Sequence, residues 1–371
     1  MTEPELDLGE DDYDEVVDIP AKDRRLLTQS YDLSVSTLLE QWNDGTLELP
    51  EIQRQYVWDN TRASRLIESL LLNIPIPVVY FAETEEVKYL VIDGHQRIQS
   101  MARYVNNEFA LSGLKILGEL RNKRFHQLHE RDQRQIKTRV VRAIILSVDS
   151  DPMMKFDVFE RLNTGSIALN AQEVRNSTHR GSMSELIKRL TQVPEFRRCI
   201  GVARPRPRMV DNELILRYMA LEDGWKSYRP PLSRFLNDYL VRANAFLPDD
   251  LESAAVKFEM AVTGLLGVFP NGAFRLTDAS GEFLERGVNR SLAQVQLTSF
   301  AWIANLDSLL DRRAHVLTEL GRLHADRVFL DSIQRATGDK RRTLRRLGMY
   351  CEALERAGLT IIHDVPYEKS E

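Results

Sequence analysis

Apolar residues in the first half of the chain recur in short bursts of two periods. In VSTLLEQWND, Val35, Leu38, Leu39 and Trp42 stand three and four apart, which predicts a helix over 35–44 that Gly45 stops. TLELP (46–50) is short and extended into Pro50. Helical spacing returns in TRASRLIESLLLN (61–73), where Leu66, Ile67, Leu70 and Leu71 share a face, and it ends before Pro75 and Pro77. VVYFAE (78–83) and KYLVID (88–93) are rich in β-formers and joined by a short polar link, so they predict a hairpin. IQSMARYVNN (98–107) is helical again, and RVVRAIILSV (139–148) carries the strongest strand pattern.

From about residue 181 the character changes. GSMSELIKRLTQ, NELILRYMALE, LSRFLNDYLVRAN, DLESAAVKFEMAVTGLLGVF, SLAQVQLTSFAWIANLDSLL and RRTLRRLGMYCEALERAG are all amphipathic at helical spacing, and strand signals are nearly absent. The expected class is α+β: a small mixed-sheet domain over 26–180 followed by an all-α helical domain over 181–371. ARPRPRM (203–209) is the most loop-like stretch of the helical half, and no period of 20 to 50 residues repeats.

Composition adds limits. With 371 residues there is room for two domains and a sizeable core. Cys199 and Cys351 are far apart and in no CxxC pattern, which fits free thiols in a reducing compartment. No apolar run approaches the roughly 20 residues that span a bilayer, and the acidic N-terminus is unlike a signal peptide, so a cytoplasmic location with no membrane partner is expected. The formal charge of -5 conceals an asymmetry: residues 1–20 hold nine acidic side chains and no basic one, leaving about +4 for the rest. Residues 1–25 read as a disordered acidic tail, either solubilising or competing with nucleic acid for a basic groove.

The densest chemistry is LVIDGHQR (90–97), where a strand pattern gives way to a helical one. A helix N-terminus offers unpaired N–H groups and about half a positive charge, which suits a phosphate. Gly94 permits close approach or positive φ. Arg97 in the first turn opposes the helix dipole unless an anion lies near, and His95 and Gln96 add hydrogen-bonding groups. Asp93 either holds a metal ion, orients Arg97, or simply caps an ordinary Asp-Gly turn.

Two other stretches carry related chemistry. LPEIQRQYVWD (49–59) interleaves Gln53, Arg54 and Gln55 with Tyr56 and Trp58, a mixture that suits base stacking with phosphate contact, or equally a strand with one wet face. In FERLNTGSIALNAQE (159–173) a helix bearing Phe156, Phe159 and Leu162 breaks at Asn163-Thr164-Gly165-Ser166. A new helix then starts with Asn170 as cap and Glu173 three residues on, a capping-box spacing. His126 and His129, three apart in FHQLHERD, form a conceivable metal pair without further ligands.

The ordered set QRQYVW, DGHQR and FERLNTGS with LNAQE resembles the N-terminal domain family of GmrSD-type modification-dependent restriction enzymes, within the ParB/sulfiredoxin-like fold group. The resemblance is clear over roughly 28–180. It implies a ParB/sulfiredoxin-like sheet domain that binds and hydrolyses a nucleotide. Asp93, Gly94, Gln96 and Arg97 match the family's Asp-Gly-Gln-Gln-Arg signature, with His95 in place of the first glutamine. Gln53, Arg54 and Trp58 match its Gln-Arg-x-x-x-Trp element, and Arg161, Leu162, Asn163, Thr164 and Gly165 its Arg-Leu-Asn-Thr-Gly element. The implied cofactor is Mg2+ with an NTP of unspecified base, with Asp93 as metal ligand and Asp93 and Arg97 as catalytic groups.

Larger relatives append an HNH nuclease, but none of the seven histidines lies in such a setting in the C-terminal half, so a separate nuclease or other defence subunit is the expected partner. DNA is the other, with Arg204, Arg206, Arg208, Arg341 and Arg342 as phosphate contacts. Three function classes follow: a nucleotide-dependent switch in defence against foreign DNA, a non-catalytic DNA-binding module, and a ParB-like metal-dependent nuclease using Asp93.

Overall fold

The computed structural model describes residues 25–49, 56–84, 86–162 and 170–363. The acidic tail therefore lies outside the described residues. The chain divides into two compact units, one ending at Thr178 and the other resuming at His179.

The first unit is built on a five-stranded mixed sheet of order β1-β5-β3-β4-β2, with β1 at Thr28–Ser34, β2 at Leu47–Glu48, β3 at Val79–Glu83, β4 at Tyr89–Asp93 and β5 at Val140–Leu146. β3 and β4 form the expected antiparallel hairpin, whereas β5 lies parallel to β3 and β2 parallel to β4. Strand alternation gives the sheet two apolar faces. Val79, Phe81, Val91, Val141, Ala143 and Ile145 pack with α1 (Val35–Asn43), α2 (Asn60–Leu71), α3 (His95–Val105) and α4 (Glu130–Thr138). Ala82, Leu90, Ile92 and Leu146 face the other way, onto α5 (Pro152–Leu162) and α6 (Ala171–Thr178) through Phe159, Ala171 and Val174. Period-two alternation thus sorts one set of strands into two helix-covered layers.

Local capping sets where these helices begin. Ser34 Oγ accepts from Thr37 N at 3.1 Å and Asp59 Oδ1 from Arg62 N at 2.7 Å. The capping box at α6 is formed as its spacing predicts: Glu173 N donates to Asn170 Oδ1 at 2.8 Å, and Asn170 N to Glu173 Oε2 at 2.7 Å. β1 is not foreshadowed by the hydrophobic pattern, because most of its residues are exposed along the sheet edge.

The second unit is helical among its described residues, apart from isolated bridges: α7 (Ser182–Leu190), α8 (Pro194–Ile200), α9 (Val210–Gly224), α10 (Leu232–Ala243), α11 (Pro248–Val268), α12 (Arg290–Ala301), α13 (Leu306–Asp311), α14 (Arg313–His324), α15 (Arg327–Gln334) and α16 (Lys340–Arg356). The single helix expected over 291–310 is broken into α12 and α13. Trp302 and Ile303 turn inward, Ile303 bridges to Ile361, and Asn305 caps a new helix through Asp307 N. α12 is buried on every side, between α9, α11 and α16. Its glutamines are satisfied there: Gln294 Nε2 donates to Arg217 O at 3.2 Å, Gln296 Nε2 to the Tyr350 hydroxyl at 3.0 Å, and Phe274 N to Gln296 Oε1 at 2.8 Å. Among the described residues, no helix is long and apolar enough to cross a membrane.

His324, 1% exposed, closes this core beside Phe329 and Tyr350. Thr277 N donates to its Nδ1 at 3.0 Å, while among the described residues its buried Nε2 has no hydrogen-bond partner. Burial pushes its pKa down to about 4 from 6.5. As pH falls through 6.5 the unfolded chain takes up a proton that the folded ring refuses until about pH 4. Stability supplied by the neutral ring is thus intact above 6.5 and lost between 6.5 and 4, by up to about 3 kcal/mol. Urea denaturation at pH 7 and pH 5 should show a smaller pH loss in His324→Gln than in the parent chain; equal losses would refute the assignment.

Candidate functional site

The crowded joint of the sequence is a strand-to-helix reversal accomplished by one residue. Tyr80 pairs with Asp93 but Phe81 pairs with Val91, so the β3–β4 register shifts by one residue just before β4 ends. Gly94 follows with φ 101° and ψ 4°, and α3 starts at His95, three residues earlier than the apolar spacing suggests. A Cβ on Gly94 would lie 2.5 Å from Val79 Cγ1, so both the dihedral and the space exclude a side chain. Gly94 at the N-cap brings no side chain to cap α3. Its first-turn N–H groups lack partners within the helix and point where an anion would sit.

Asp93 and Arg97 face each other across this turn. Arg97 Nη2 lies 2.5 Å from Asp93 Oδ2, and Arg97 Nη1 donates to the Pro77 and Val78 carbonyls that lead into β3. The Arg97 side chain is 10% exposed and that of Asp93 41%. Of the roles open to Asp93, orienting Arg97 is the one displayed. The arginine opposing the helix dipole thus meets an anion supplied by the chain itself.

Gln96 is the hub of a second set of contacts. Its Oε1 accepts from Val57 N at 3.0 Å and Trp58 N at 3.1 Å, which fixes the amide orientation and makes Nε2 a donor. That donor lies 2.8 Å from His95 Nε2, so His95 accepts there and carries its proton on Nδ1. Burial lowers the His95 pKa, Asp93 opposes the shift and Arg97 adds to it, which keeps the ring neutral at pH 7. One helical turn on, Ser100 Oγ donates to Gln96 O at 2.6 Å and therefore accepts from the Tyr56 hydroxyl at 2.9 Å. Arg103 lies over the Tyr56 ring at 4.3 Å and Arg62 over Trp58 at 4.5 Å.

The structure therefore brings Asp93, Gly94, His95, Gln96 and Arg97 together with Tyr56 and Trp58. Gln53, Arg54, Asn163, Thr164 and Gly165 lie outside the described residues. Arg161, at the end of α5, has its side chain 77% exposed and 2.9 Å from Asp157, on the layer covering the opposite sheet face from α3. Ser100 and Arg103 escaped the sequence reading, although positions 96, 100 and 103 mark one helical face. His126 and His129 are engaged locally, His126 with Asn107 and His129 as cap of α4. Among the described residues no group of three His, Cys, Asp or Glu is placed to hold a metal ion.

The five arginines expected on DNA divide by burial. Arg204, Arg208 and Arg341 are exposed. Arg206 is turned inward onto Asp211, its side chain 12% exposed, and Arg342 pairs with Asp331 and two carbonyls.

Residues 35–180 match the family model described as GmrSD restriction endonuclease, N-terminal domain, a stretch that includes the 53–58, 93–97 and 161–165 segments and covers less than half of the chain. No curated protein matches the chain. The resemblance drawn from the motifs thus stands for the sheet domain, and the match does not reach the helices beyond it.

Two substitutions probe the joint. Gln96→Ala removes the acceptor shared by Val57 and Trp58, so hydrogen exchange of those two amides should accelerate about tenfold or more; unchanged exchange would show that something else holds the segment. Gly94→Ala keeps every named hydrogen bond yet meets Val79, and should cost about 2–4 kcal/mol in urea denaturation. A loss within experimental error would mean that the turn relaxes freely.

Proposed function

We propose that the sheet domain binds a nucleoside triphosphate at the β4–α3 joint, with or without hydrolysing it. The bound state would serve as a switch for DNA recognition in a restriction-type defence system that cuts DNA through a separate nuclease. The restriction-type setting rests on the family match over residues 35–180. The single observation carrying the nucleotide reading is a helix N-terminus with glycine at its N-cap beside a partly exposed carboxylate that already orients an arginine.

In this reading the first-turn N–H groups of α3 receive phosphate oxygens, and glycine at the N-cap leaves the approach clear. Neutral His95 offers Nδ1–H as a donor without adding charge. Tyr56 and Trp58, fixed by Ser100 and Gln96, supply aromatic surface for a base. Arg54 neutralises charge developing in phosphoryl transfer, a role expected of Arg161 as well that its pairing with Asp157 on the opposite sheet layer does not support. The residues present fit Mg2+ only in company with the phosphates: Asp93 is one carboxylate, with Oδ2 committed to Arg97. Mg2+ bound there would supply charge neutralisation across the phosphate chain. Use of Asp93 as the heart of a nuclease is disfavoured by the same solitude of its carboxylate.

The second reading, a DNA-binding module without nucleotide, draws on exposed Arg204, Arg208 and Arg341. Equilibrium dialysis of the full chain with each of four NTPs and Mg2+, with and without DNA, separates the two. At least one NTP should bind, and Asp93→Asn should weaken the Mg2+-dependent binding or turnover tenfold or more while the chain stays folded. Absence of binding by every NTP sinks the proposal, and salt-dependent DNA retention indifferent to nucleotide favours the module. Plasmid cleavage by the chain alone, lost in Asp93→Asn, would instead establish the nuclease.

A further inference from the structure

The helical unit buries arginines in three ways. Arg217 pairs with Glu213, with Nε 2.8 Å from Oε1. Arg275 spends Nε, Nη1 and Nη2 on the carbonyls of Arg286, Ala273 and Ile200. Arg197 and Arg206, by contrast, share one carboxylate. Arg197 Nη1 lies 2.6 Å from Asp211 Oδ2, and Arg206 reaches Oδ1 through Nε at 2.6 Å and Oδ2 through its backbone N at 2.9 Å. The side chains of Arg197 and Asp211 are 7% and 1% exposed.

That arrangement leaves a surplus. Among the described residues, Nε and Nη2 of Arg197 and Nη1 and Nη2 of Arg206 are buried without hydrogen-bond partners. Two buried guanidinium groups face a single carboxylate, and the charge of Arg290 is felt at Arg206 as well, while nearby Arg275 has Glu285 to oppose it. Burial lowers the Arg206 pKa, Asp211 opposes the shift, and Arg197 and Arg290 add to it. Native proteins rarely leave such donors dry or such charge uncompensated. Water would answer the donors but not the charge; an oxyanion answers both.

We propose that the helical unit binds a small phosphate-type oxyanion on the spare donors of Arg197 and Arg206. Paired guanidinium forks suit a tetrahedral oxyanion, offering parallel donors to its oxygens. The ligand is small because the donors are sealed from solvent, and a shift of the 203–209 segment, which carries Arg206, would open them. Arg208 and Met209 in that segment are consecutive non-glycine residues at φ 61° and 54°, a strained conformation that displacement would relieve. A continuous nucleic-acid backbone cannot enter beneath it, whereas free phosphate or the phosphate of a mononucleotide can. This site belongs to the helical unit and does not depend on the nucleotide reading of the joint.

Thermal melts of the full chain test it, with inorganic phosphate in one arm and a nucleoside monophosphate in the other, each against potassium chloride at matched ionic strength. At a hundredfold excess over the dissociation constant the melting point should rise saturably by about 5 °C or more in at least one arm, and the responding arm identifies the source. Arg206→Met leaves Arg197 and Asp211 as a one-to-one pair, so without phosphate it should melt no lower than the parent, and it should lose the rise. Arg197→Lys keeps a cation on Asp211 but removes the fork, and should need about tenfold more ligand for the same rise. The proposal is overturned by no rise in either arm, by an equal rise with chloride, or by a rise that persists in both variants, which would place the anion elsewhere.

Discussion

Between β4 and α3 the chain must turn from strand to helix within one residue, and Val79 of the neighbouring strand leaves that residue no room for a side chain. Glycine meets this demand, and it brings a second consequence. The N-cap position that serine, aspartate or asparagine fills at α1, α2 and α6 is here held by a residue with nothing to cap with. Tight packing under the turn and an N-cap without a capping side chain are therefore one constraint seen from two sides. The early helix start also places Gln96 and Arg97 in the first turn, where one can reach the 56–58 segment and the other the entry to β3.

Charge is handled differently in the two units. At the joint, Asp93 and Arg97 form a half-exposed pair whose carboxylate remains open to solvent. In the helical unit the buried polar groups are mostly structural: Gln294 and Gln296 stitch α12 to its neighbours, and Arg346 is spent on the Ser332 and Thr337 carbonyls and on Gln294. A sequence run such as KRRTLRR thus mixes exposed positions with a side chain at the bottom of the core. Burial tells them apart, and only geometry supplies it.

Much of the fold was legible because hydrophobic period and turn chemistry agree in this chain. The hairpin, the α6 capping box and the run of helices after 181 all follow from spacing that packing then uses. The failures have physical causes. β1 is an edge strand held by backbone pairing to β5, with Asp32 opposite Arg142 in place of an apolar face. The break between α12 and α13 comes from Trp302 and Ile303 turning into the core, a tertiary preference that local spacing cannot express. At the site, the five residues of the joint were identifiable by type, but their roles were not. Arg97 looked like a group awaiting a ligand, and it is bound to Asp93 and two carbonyls; Arg206 looked like a surface cation, and it is buried.

The hydrogen-bond polarity at the joint also shows how occupancy there could be felt elsewhere in the same domain. Gln96 holds Val57 and Trp58 with its oxygen, and with its nitrogen it depends on His95 remaining an acceptor. A protonated His95 would turn a donor toward a donor, and the burial that lowers its pKa keeps this from happening near neutrality. Any anion that settles on the first turn of α3 and draws a proton onto His95 works against that burial. It thereby loosens the same amide that anchors Tyr56 and Trp58. A ligand shifts an equilibrium only through its different affinity for two arrangements. Here the structure shows one arrangement, with the 56–58 segment tied to Gln96, and protonation of His95 would favour another in which that tie is released.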